Sequence, residues 1–234
     1  MIILHKTVTA ALNNQEHSFC IFFDLKKAYD RIWSGLVLKR LAEWGLGGNI
    51  LHFLRNLLFH RTMQVRCNGV ASQTVELENG VPQGSVAAVT CFLIAICEFE
   101  KDVRRSFARR FPTVKLVTLS YADDKAMVIT GRKNDPEVRK AVQYVADFTG
   151  EWMANHGLDL SPTKTQLLHI CRGGGCKKLV VNVLGSPIGC SRVVNFLGHV
   201  IDSRLCWRQH LLHRKSTCTR ALNAVRMLSG MSSG

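Results

Sequence analysis

The chain has 234 residues, which fits one large domain or one domain with a small appendage. Its residues are 47% apolar, which is enough for a sizeable core and favours a folded over a disordered chain, and no apolar run is long enough to span a membrane. Thirty-one Lys and Arg residues against 17 Asp and Glu residues give a formal net charge of +14, and this excess favours a polyanionic partner such as nucleic acid.

The first third of the chain predicts a strand, two helices and a hairpin. The start, MIILHKTVTAAL, has no basic residue ahead of its apolar stretch, so we expect no signal peptide and an intracellular protein. CIFFDL (20–25) is a short apolar run of strand type that ends in an acid. Apolar residues recur at helical spacing from 35 to 59 with glycines between them, which predicts two helices. Residues 63–75 alternate on both sides of Asn68-Gly69, a strong hairpin signal.

The middle third predicts a helix, a second hairpin and another helix. Residues 85–107 contain no Gly or Pro and are apolar nearly all round, which predicts one buried helix with a basic end. VKLVTLSY and KAMVIT flank ADD (122–124), so we expect a hairpin with acids at its tip. The next helix begins at Asn134 or Asp135, has Pro136 in its first turn and stops at Gly157.

The last third predicts short strands and a final helix. The strands are expected around 165–170, 179–184 and 194–201, and the amphipathic helix around 208–229. Its inward residues are predicted to be Leu211, Leu212, Cys218, Leu222 and Val225. The order of elements is mixed rather than strictly alternating, which predicts an α+β fold with helices on one face of an antiparallel sheet.

The nine cysteines are scattered, and no CxxC pair occurs among them. We therefore expect reduced thiols rather than a disulfide framework. The nearest approach to a zinc pattern comprises His169, Cys171, Cys176 and Cys190. Because this spacing matches no standard finger, metal binding there is the less favoured interpretation.

Two segments concentrate the positive charge. Residues 101–115 contain six basic residues and one acid, and residues 201–234 contain the same numbers. Either segment alone fits a solvated helix face. Together they favour nucleic-acid binding.

Three carboxylates are the candidate chemical groups. Asp24 ends an apolar strand, and Asp123 and Asp124 stand side by side at a hairpin tip about a hundred residues later. Oxygen ligands of this kind suit hard divalent cations, and two such ions about 4 Å apart can hold both oxygens of a phosphoryl transfer. The alternative is an ordinary polar turn.

Six motifs in order give these acids a context. They are FFDLKKAYDRIW (22–33), ENGVPQGS (78–85), LSYADD (119–124), LSPTKT (160–165), NFLGHVID (195–202) and RLCWRQHL (204–211). The set resembles the reverse transcriptases, in particular those of jockey-type non-LTR retrotransposons. The resemblance implies a polymerase palm with partial fingers in residues 1–200 and the start of a helical thumb in residues 201–234.

The resemblance also implies a metal site. Asp24 and Asp123 match the two metal-binding aspartates, Asp124 stands beside them, and the backbone carbonyl of Leu25 matches a further ligand. The implied cofactor is a pair of Mg²⁺ ions, with Mn²⁺ as an alternative.

Other positions match the substrate-binding residues of the family. Tyr29 falls at the aromatic position that lies under the incoming sugar and excludes a 2′-hydroxyl. Gln83 and Gly84 match residues that line the nucleotide and template side, and Lys164 matches a lysine near the pyrophosphate. The implied reaction is attack of a DNA primer 3′-hydroxyl on the α-phosphate of a deoxynucleoside triphosphate, copied from an RNA template.

The chain departs from the family pattern in several places. Only 23 residues precede Asp24, whereas the family has a fingers region further upstream, so we expect a truncated copy that lacks most of the fingers. Lys125 replaces an apolar residue, and residues 86–88 differ from the usual sequence. The alternative function is a catalytically silent nucleic-acid-binding remnant. An RNA-templated RNA polymerase or a nucleotide cyclase is a further alternative, against which Tyr29 and the PQG and YADD motifs count.

Overall fold

The computed structural model describes residues 1–82, 84–172 and 179–228. The helices are α1 Ile2–Asn13, α2 Ala28–Arg31, α3 Ser34–Glu43, α4 Gly48–Leu58, α5 Val86–Ile96, α6 Phe99–Arg110, α7 Pro136–Asn155 and α8 Arg208–Leu228. The strands are β1 Glu16–Phe23, β2 Leu25–Lys26, β3 Arg61–Met63, β4 Arg66–Cys67, β5 Val70–Ala71, β6 Val75–Leu77, β7 Lys115–Tyr121, β8 Asp124–Arg132, β9 Asp159–Leu160, β10 Gln166–Ile170, β11 Val180–Val183, β12 Ser186–Ser191, β13 Val193–Phe196 and β14 His199–Asp202. Within these described ranges, no helix has the length and apolar character that a membrane crossing requires.

A six-stranded sheet organises the fold, in the order β11-β12-β10-β1-β8-β7. Strand β1 lies inside it and pairs antiparallel with β8 on one side and with β10 on the other. The β10–β12 pair is parallel. Because β1 is covered on both faces, seven of its eight residues are buried, which explains its continuous apolar run.

The alternation of β1 divides the core into two layers. Phe19, Ile21 and Phe23 join a core cluster that includes residues of α3, α5, α6 and α7. Cys20 and Phe22 point the other way and join residues of α1 and of the β13–β14 hairpin. The predicted α+β architecture is confirmed, and α1 adds a helix on the second face of the sheet.

Residues 35–77 fold as the sequence predicts, into two helices and a hairpin. Helices α3 and α4 occupy the 35–59 region. Strands β4 and β5 meet at Asn68-Gly69, and β3 and β6 extend the pairing outward. Asn68 and Gly69 have φ angles of 49° and 81°, which matches the backbone that the Asn-Gly pair favours in tight hairpins.

The segment 85–107 departs from the prediction of one buried helix. It forms α5 and the start of α6, with a break at Cys97–Glu98. At that break Glu98 Oε2 lies 2.8 Å from the Nη1 atom of Arg40, a nearly buried side chain of α3. Two apolar residues, Val89 and Leu93, are 43% and 45% exposed, so α5 is not buried all round. A tertiary ion pair accompanies the break, and no local breaker residue marks it.

The terminal helix α8 has close to the predicted bounds but not the predicted packing. The five residues expected to face inward are all exposed: Leu211, Leu212, Cys218, Leu222 and Val225. The inward assignment is therefore wrong, because α8 packs chiefly at its start, against β14, and its apolar stripe meets no core residues among those described.

Two smaller predictions also change. The single strand expected at 194–201 is a hairpin, because Leu197 and Gly198 adopt left-handed φ angles of 49° and 72° between β13 and β14. Cys171 is disulfide-bonded, so the expectation of reduced thiols is wrong for this residue. Cys176 lies outside the described residues, so the zinc pattern is described only in part.

Candidate active site

The three carboxylates lie at the same end of neighbouring strands of the central sheet. Asp24 directly follows β1, Asp124 begins β8, and Asp123 lies in the turn between β7 and β8. Strands β1 and β8 are neighbours, with Phe23 opposite Lys125. The fold therefore brings together acids that are about a hundred residues apart in sequence.

A buried lysine, Lys125, stabilises the turn that carries Asp123. Ala122 adopts a left-handed φ of 51°, and its carbonyl accepts a 2.7 Å hydrogen bond from Lys125 Nζ. The Lys125 side chain is buried, and its ammonium lies 5.8 Å from the centre of the Phe92 ring. Burial lowers the pKa of Lys125 to about 8, although nearby carboxylates oppose that change.

The carboxylates interact electrostatically. The pKa of Asp124 is raised, first by burial and then by the negative charges of Asp123 and Asp24. The Oδ2 atom of Asp24 is buried and has no hydrogen-bond partner among the described residues. Lys164 Nζ lies 3.6 Å from this oxygen, and the Lys164 side chain is 72% exposed. Such an arrangement of oxygens favours the approach of a cation.

The carboxylate oxygens are suitable ligands for a divalent metal, but they do not form a complete coordination site. Within the described residues, no three His, Cys, Asp or Glu side chains form a group that could hold a metal ion as they stand. A bound cation would nevertheless coordinate the Asp24 oxygen, which accepts no hydrogen bond from the described residues, and would reduce the mutual repulsion of the acids. The residues therefore fit a metal that binds together with further oxygen ligands.

A cleft of about 330 Å³ opens beside the acids. Asp24, Asp124 and Lys164 line it, together with Asn195 and Phe196 of β13. Asp123 is not among the lining residues. Strand β10 runs antiparallel to β1, so the LSPTKT segment that precedes β10 reaches the end of β1. Its Ser161 N–H donates to the carbonyl of Asp24 at 2.8 Å, which fixes the segment beside the acid.

Tyr29 lies in α2, near the acidic turn. Its ring packs on Phe92 with a centroid distance of 5.3 Å. Burial and then the charge of Asp123 raise the pKa of the Tyr29 hydroxyl, which places the ring within electrostatic reach of the turn. The carbonyl of Tyr29 accepts a 2.7 Å hydrogen bond from Val81 N–H.

The remaining predicted residues have mixed outcomes. Leu25 is buried and pairs with Leu160 in the β2–β9 ladder. Gly84 is exposed with a left-handed φ of 84°, and Gln83 lies outside the described residues. Arg31, which lies in α2 with Tyr29, forms a 2.9 Å ion pair with Asp159 of β9.

Sequence reasoning missed two residues, Ser34 and Arg61. Both contact the backbone of the ENGVPQGS loop, where the carbonyl of Gly80 accepts hydrogen bonds from each of them. Neither belongs to a motif in the sequence analysis, and no local pattern signals these contacts.

The sequence profile described as "Reverse transcriptase (RNA-dependent DNA polymerase)" matches residues 2–201, which is most of the chain. The chain belongs to the reverse transcriptase family.

Several curated reverse transcriptases of mobile elements are similar to this one. "RNA-directed DNA polymerase from mobile element jockey" of Drosophila funebris is 28% identical over 219 residues, covering 89% of this chain and 22% of that protein. The protein of the same name from Drosophila melanogaster is also 28% identical, with the same coverage. "Probable RNA-directed DNA polymerase from transposon BS" of Drosophila melanogaster is 25% identical and covers 96% of this chain. The chain spans 22–24% of the length of these relatives.

Solved structures share the fold of this chain. The apo telomerase of Candida tropicalis truncated from its C-terminal domain superposes with a TM-score of 0.57 at 14% identity, covering 87% of this chain and 38% of that chain. The telomerase of Candida albicans, in complex with a fragment of telomeric RNA, gives a TM-score of 0.56 at 13% identity, covering 86% and 33%. At this level of identity, the likeness shows the fold alone.

Proposed function

We propose that this chain supplies the palm of an RNA-directed DNA polymerase of a jockey-type non-LTR retrotransposon. The observation that carries the proposal is the buried Asp24 oxygen at the end of β1, which accepts no hydrogen bond from the described residues and has the exposed Lys164 ammonium 3.6 Å away and Asp124 beside it. The substrates are a DNA primer, an RNA template and deoxynucleoside triphosphates. In this proposal residues 1–200 form the palm with partial fingers and residues 201–234 begin the thumb.

Four groups are proposed to hold two divalent ions, Mg²⁺ or Mn²⁺. They are the carboxylates of Asp24, Asp123 and Asp124 and the backbone carbonyl of Leu25. When bound, such ions lower the pKa of the attacking hydroxyl and stabilise the leaving pyrophosphate. The raised pKa of Asp124 supports this assignment, because a carboxylate crowded by others gains most from an added positive charge.

Lys164 is proposed to bind phosphate oxygens of the incoming nucleotide. Its ammonium is exposed, and it lies near Asp24 at 3.6 Å, a distance too long for a strong hydrogen bond. The ammonium can therefore turn towards a phosphate at small cost. Gln83 and Gly84 are proposed to line the nucleotide and template side of the same site.

Tyr29 is proposed to select the sugar. Its ring rests on Phe92 and lies close enough to Asp123 for that charge to act on its hydroxyl. A ring held in this place excludes a 2′-hydroxyl by steric clash, so discrimination comes from rejection of ribonucleotides.

Primer extension tests the proposal. A DNA-primed homopolymer RNA is incubated with deoxynucleotide, Mg²⁺ and either the unmutated chain or the Asp24→Asn or Asp123→Asn variant. Each substitution should reduce extension on the order of 100-fold or more, because it removes a proposed ligand from the reacting centre. Both variants should still fold, since removing one crowded carboxylate relieves repulsion.

Glu151→Gln is the matched control, because Glu151 is an exposed acid on α7. It should extend the primer at the unmutated rate. Extension by Asp123→Asn at the unmutated rate would show that the metal-site assignment is wrong. Hybrid binding without any extension by the unmutated chain would instead favour the nucleic-acid-binding alternative.

A further inference from the structure

Arg61 connects the start of β3 to the backbone of the ENGVPQGS loop. Its Nη2 atom donates to the carbonyls of Asn79 at 2.7 Å and Gly80 at 2.8 Å, and its Nε donates to the carbonyl of Leu58 at 3.3 Å. The hydroxyl of Ser34 lies 3.2 Å from the same Gly80 carbonyl. Two side chains from separate elements therefore fix one peptide of the loop.

The same loop is hydrogen-bonded to the segment that carries Tyr29. Gly80 N–H donates to the carbonyl of Ile32 at 2.8 Å, and Val81 N–H donates to the carbonyl of Tyr29 at 2.7 Å. Gly80 has a left-handed φ of 89°, and a Cβ placed on it would lie 2.6 Å from the carbonyl oxygen of Asp30. The two backbone segments are in direct contact, so displacement of one displaces the other.

The loop is also linked to Tyr29 through helix α5. The loop runs into α5 through Ser85, whose hydroxyl accepts a hydrogen bond from Ala87 N–H at 3.3 Å and caps the helix. Helix α5 carries Phe92, on which the Tyr29 ring packs. Within the described residues, the loop therefore contacts the Tyr29 segment through its backbone, and Ser85 caps the helix whose Phe92 packs on the Tyr29 ring.

We propose that Arg61 is a positioning residue for sugar selection. By holding the carbonyls of Asn79 and Gly80, it fixes the loop and, through the loop, the ring of Tyr29. This inference rests on the proposed function, because it supposes that Tyr29 faces the sugar. The planar guanidinium suits this role, since its fixed fork of donors reaches several carbonyls at once and an ammonium does not reproduce that geometry.

The first experiment measures the connection without requiring activity. Hydrogen exchange by mass spectrometry follows peptides that contain the amides of Gly80 and Val81 in the unmutated chain, Arg61→Ala and Arg61→Lys. Exchange at these amides should accelerate about tenfold or more in Arg61→Ala and by a smaller factor in Arg61→Lys, because local opening becomes easier. Amides of β1 should keep their protection in both variants, which shows that the fold is intact.

Arg55→Ala is the matched control, since Arg55 is an exposed arginine of α4. It removes one positive charge and should leave exchange in the loop unchanged. Unchanged exchange at Gly80 and Val81 in Arg61→Ala would overturn the proposed connection, whether or not the chain extends primers.

The second experiment measures sugar selection. Single-nucleotide incorporation with matched ribo- and deoxynucleotides gives the ratio of the two efficiencies. This ratio should rise about tenfold towards ribonucleotides in Arg61→Ala, because a small displacement of a positioning group has a large kinetic effect. Arg61→Lys should give a smaller rise, and Arg55→Ala none.

The outcomes separate the two proposals. If the unmutated chain extends primers and Asp123→Asn does not, the proposed function stands. An unchanged sugar ratio in Arg61→Ala then overturns the role of Arg61 alone. If the unmutated chain binds the hybrid but does not extend primers, the nucleic-acid-binding alternative replaces the proposed function, and hydrogen exchange alone decides whether Arg61 holds the loop.

Discussion

Lys125 is the charged residue that the fold buries most completely, at 1% exposure. Its ammonium donates to the carbonyl of Ala122, and Glu100, Asp123 and Asp124 supply nearby negative charge. Burial still dominates, because it lowers the pKa to about 8 from a usual value of 10.5. The charged form of Lys125 is therefore less favourable in the folded chain than in the unfolded chain.

The Lys125→Met variant should be more stable than the unmutated chain at pH 7, by about 1–3 kcal/mol, because an apolar residue of similar length avoids the cost of burying the charge. The pH dependence has a definite sign. Between the folded pKa of about 8 and the usual 10.5, the unfolded chain binds more protons, so stability of the unmutated chain rises with pH in that window. Urea unfolding at pH 7 and pH 9.5 measures both effects.

Lys101→Met is the control for Lys125→Met, since Lys101 is exposed on α6. It should change the free energy of unfolding little at either pH. A less stable Lys125→Met at pH 7 would mean that the hydrogen bond to Ala122 and the neighbouring carboxylates outweigh burial.

At the scale of elements, one carboxylate shapes the entry to α8. Asp202 ends β14 and is buried, and its side chain accepts hydrogen bonds from the N–H groups of Arg204, Cys206 and Trp207 at 2.9–3.1 Å. Burial alone would raise its pKa, but these donors outweigh burial and the pKa is lowered. Leu205 and Trp207 have left-handed φ angles of 52° and 59°, so the carboxylate holds a backbone that is otherwise unfavourable.

Asp202→Asn should reduce the free energy of unfolding at pH 7 by about 1–3 kcal/mol, because the neutral amide offers one acceptor oxygen to three backbone N–H donors that now share two carboxylate oxygens. The lowered pKa of Asp202 means that its contribution is present above the unfolded value near 3.8 and is lost as the pH falls below it. The unmutated chain should therefore lose its advantage over the variant in acid. Urea unfolding from pH 7 to pH 3 measures this convergence. Equal stability of the two proteins at pH 7 would exclude an organising role for Asp202.

The elements that the sequence predicted well are those with local signals. Helix α7 begins after Asp135, whose side chain accepts a hydrogen bond from Glu137 N–H, and it ends before Gly157 with its φ of 75°. The break between α5 and α6 carries no such signal, because it coincides with an ion pair to Arg40 from another helix. The packing of α8 was wrong for a related reason, since a stripe of apolar residues does not say which surface it meets.

In the candidate site, too, the residues with local sequence signals were predicted and those placed by tertiary contacts were not. The motifs placed Asp24, Asp123 and Asp124 correctly at strand ends, because each lies directly after or within a recognisable strand or turn. Arg61 lies about twenty residues before the loop that it holds, and its contacts are to backbone carbonyls. Such contacts leave no residue pattern in either segment, so only the folded structure reveals them.

At the scale of the whole molecule, the two basic segments lie on different faces of the sheet. Helix α6 contributes Phe99, Val103 and Phe107 to the core layer of α5 and α7. Helix α8 follows the β13–β14 hairpin, whose residues Asn195 and Phe196 line the cleft beside the acids. Of the two basic segments, α8 is therefore the one that is connected to a hairpin lining the cleft, and it packs against β14 of that hairpin.

The double variant Lys215→Glu with Arg220→Glu, on α8, should weaken binding of an RNA–DNA hybrid and reduce its salt dependence. Each lost phosphate contact lowers the slope of log affinity against log salt by about one. The same reversal on α6, Arg105→Glu with Arg109→Glu, should have a smaller effect at equal charge change. Fluorescence anisotropy from 50 to about 200 mM salt measures both slopes. Equal losses in the two variants would show that binding depends on net charge alone.

The acids differ in how firmly the sheet anchors them. Asp24 continues β1, which is paired along both edges and buried on both faces, so moving this carboxylate requires disrupting the centre of the domain. Asp123 lies in the turn between β8 and β7, and β7 is an edge strand of the described six-stranded sheet. The backbone that carries Asp24 is therefore held more firmly than the backbone that carries Asp123. We therefore expect backbone displacement to be easier at the β7–β8 turn than at Asp24, so that a change in the spacing of the carboxylates comes mainly from the turn.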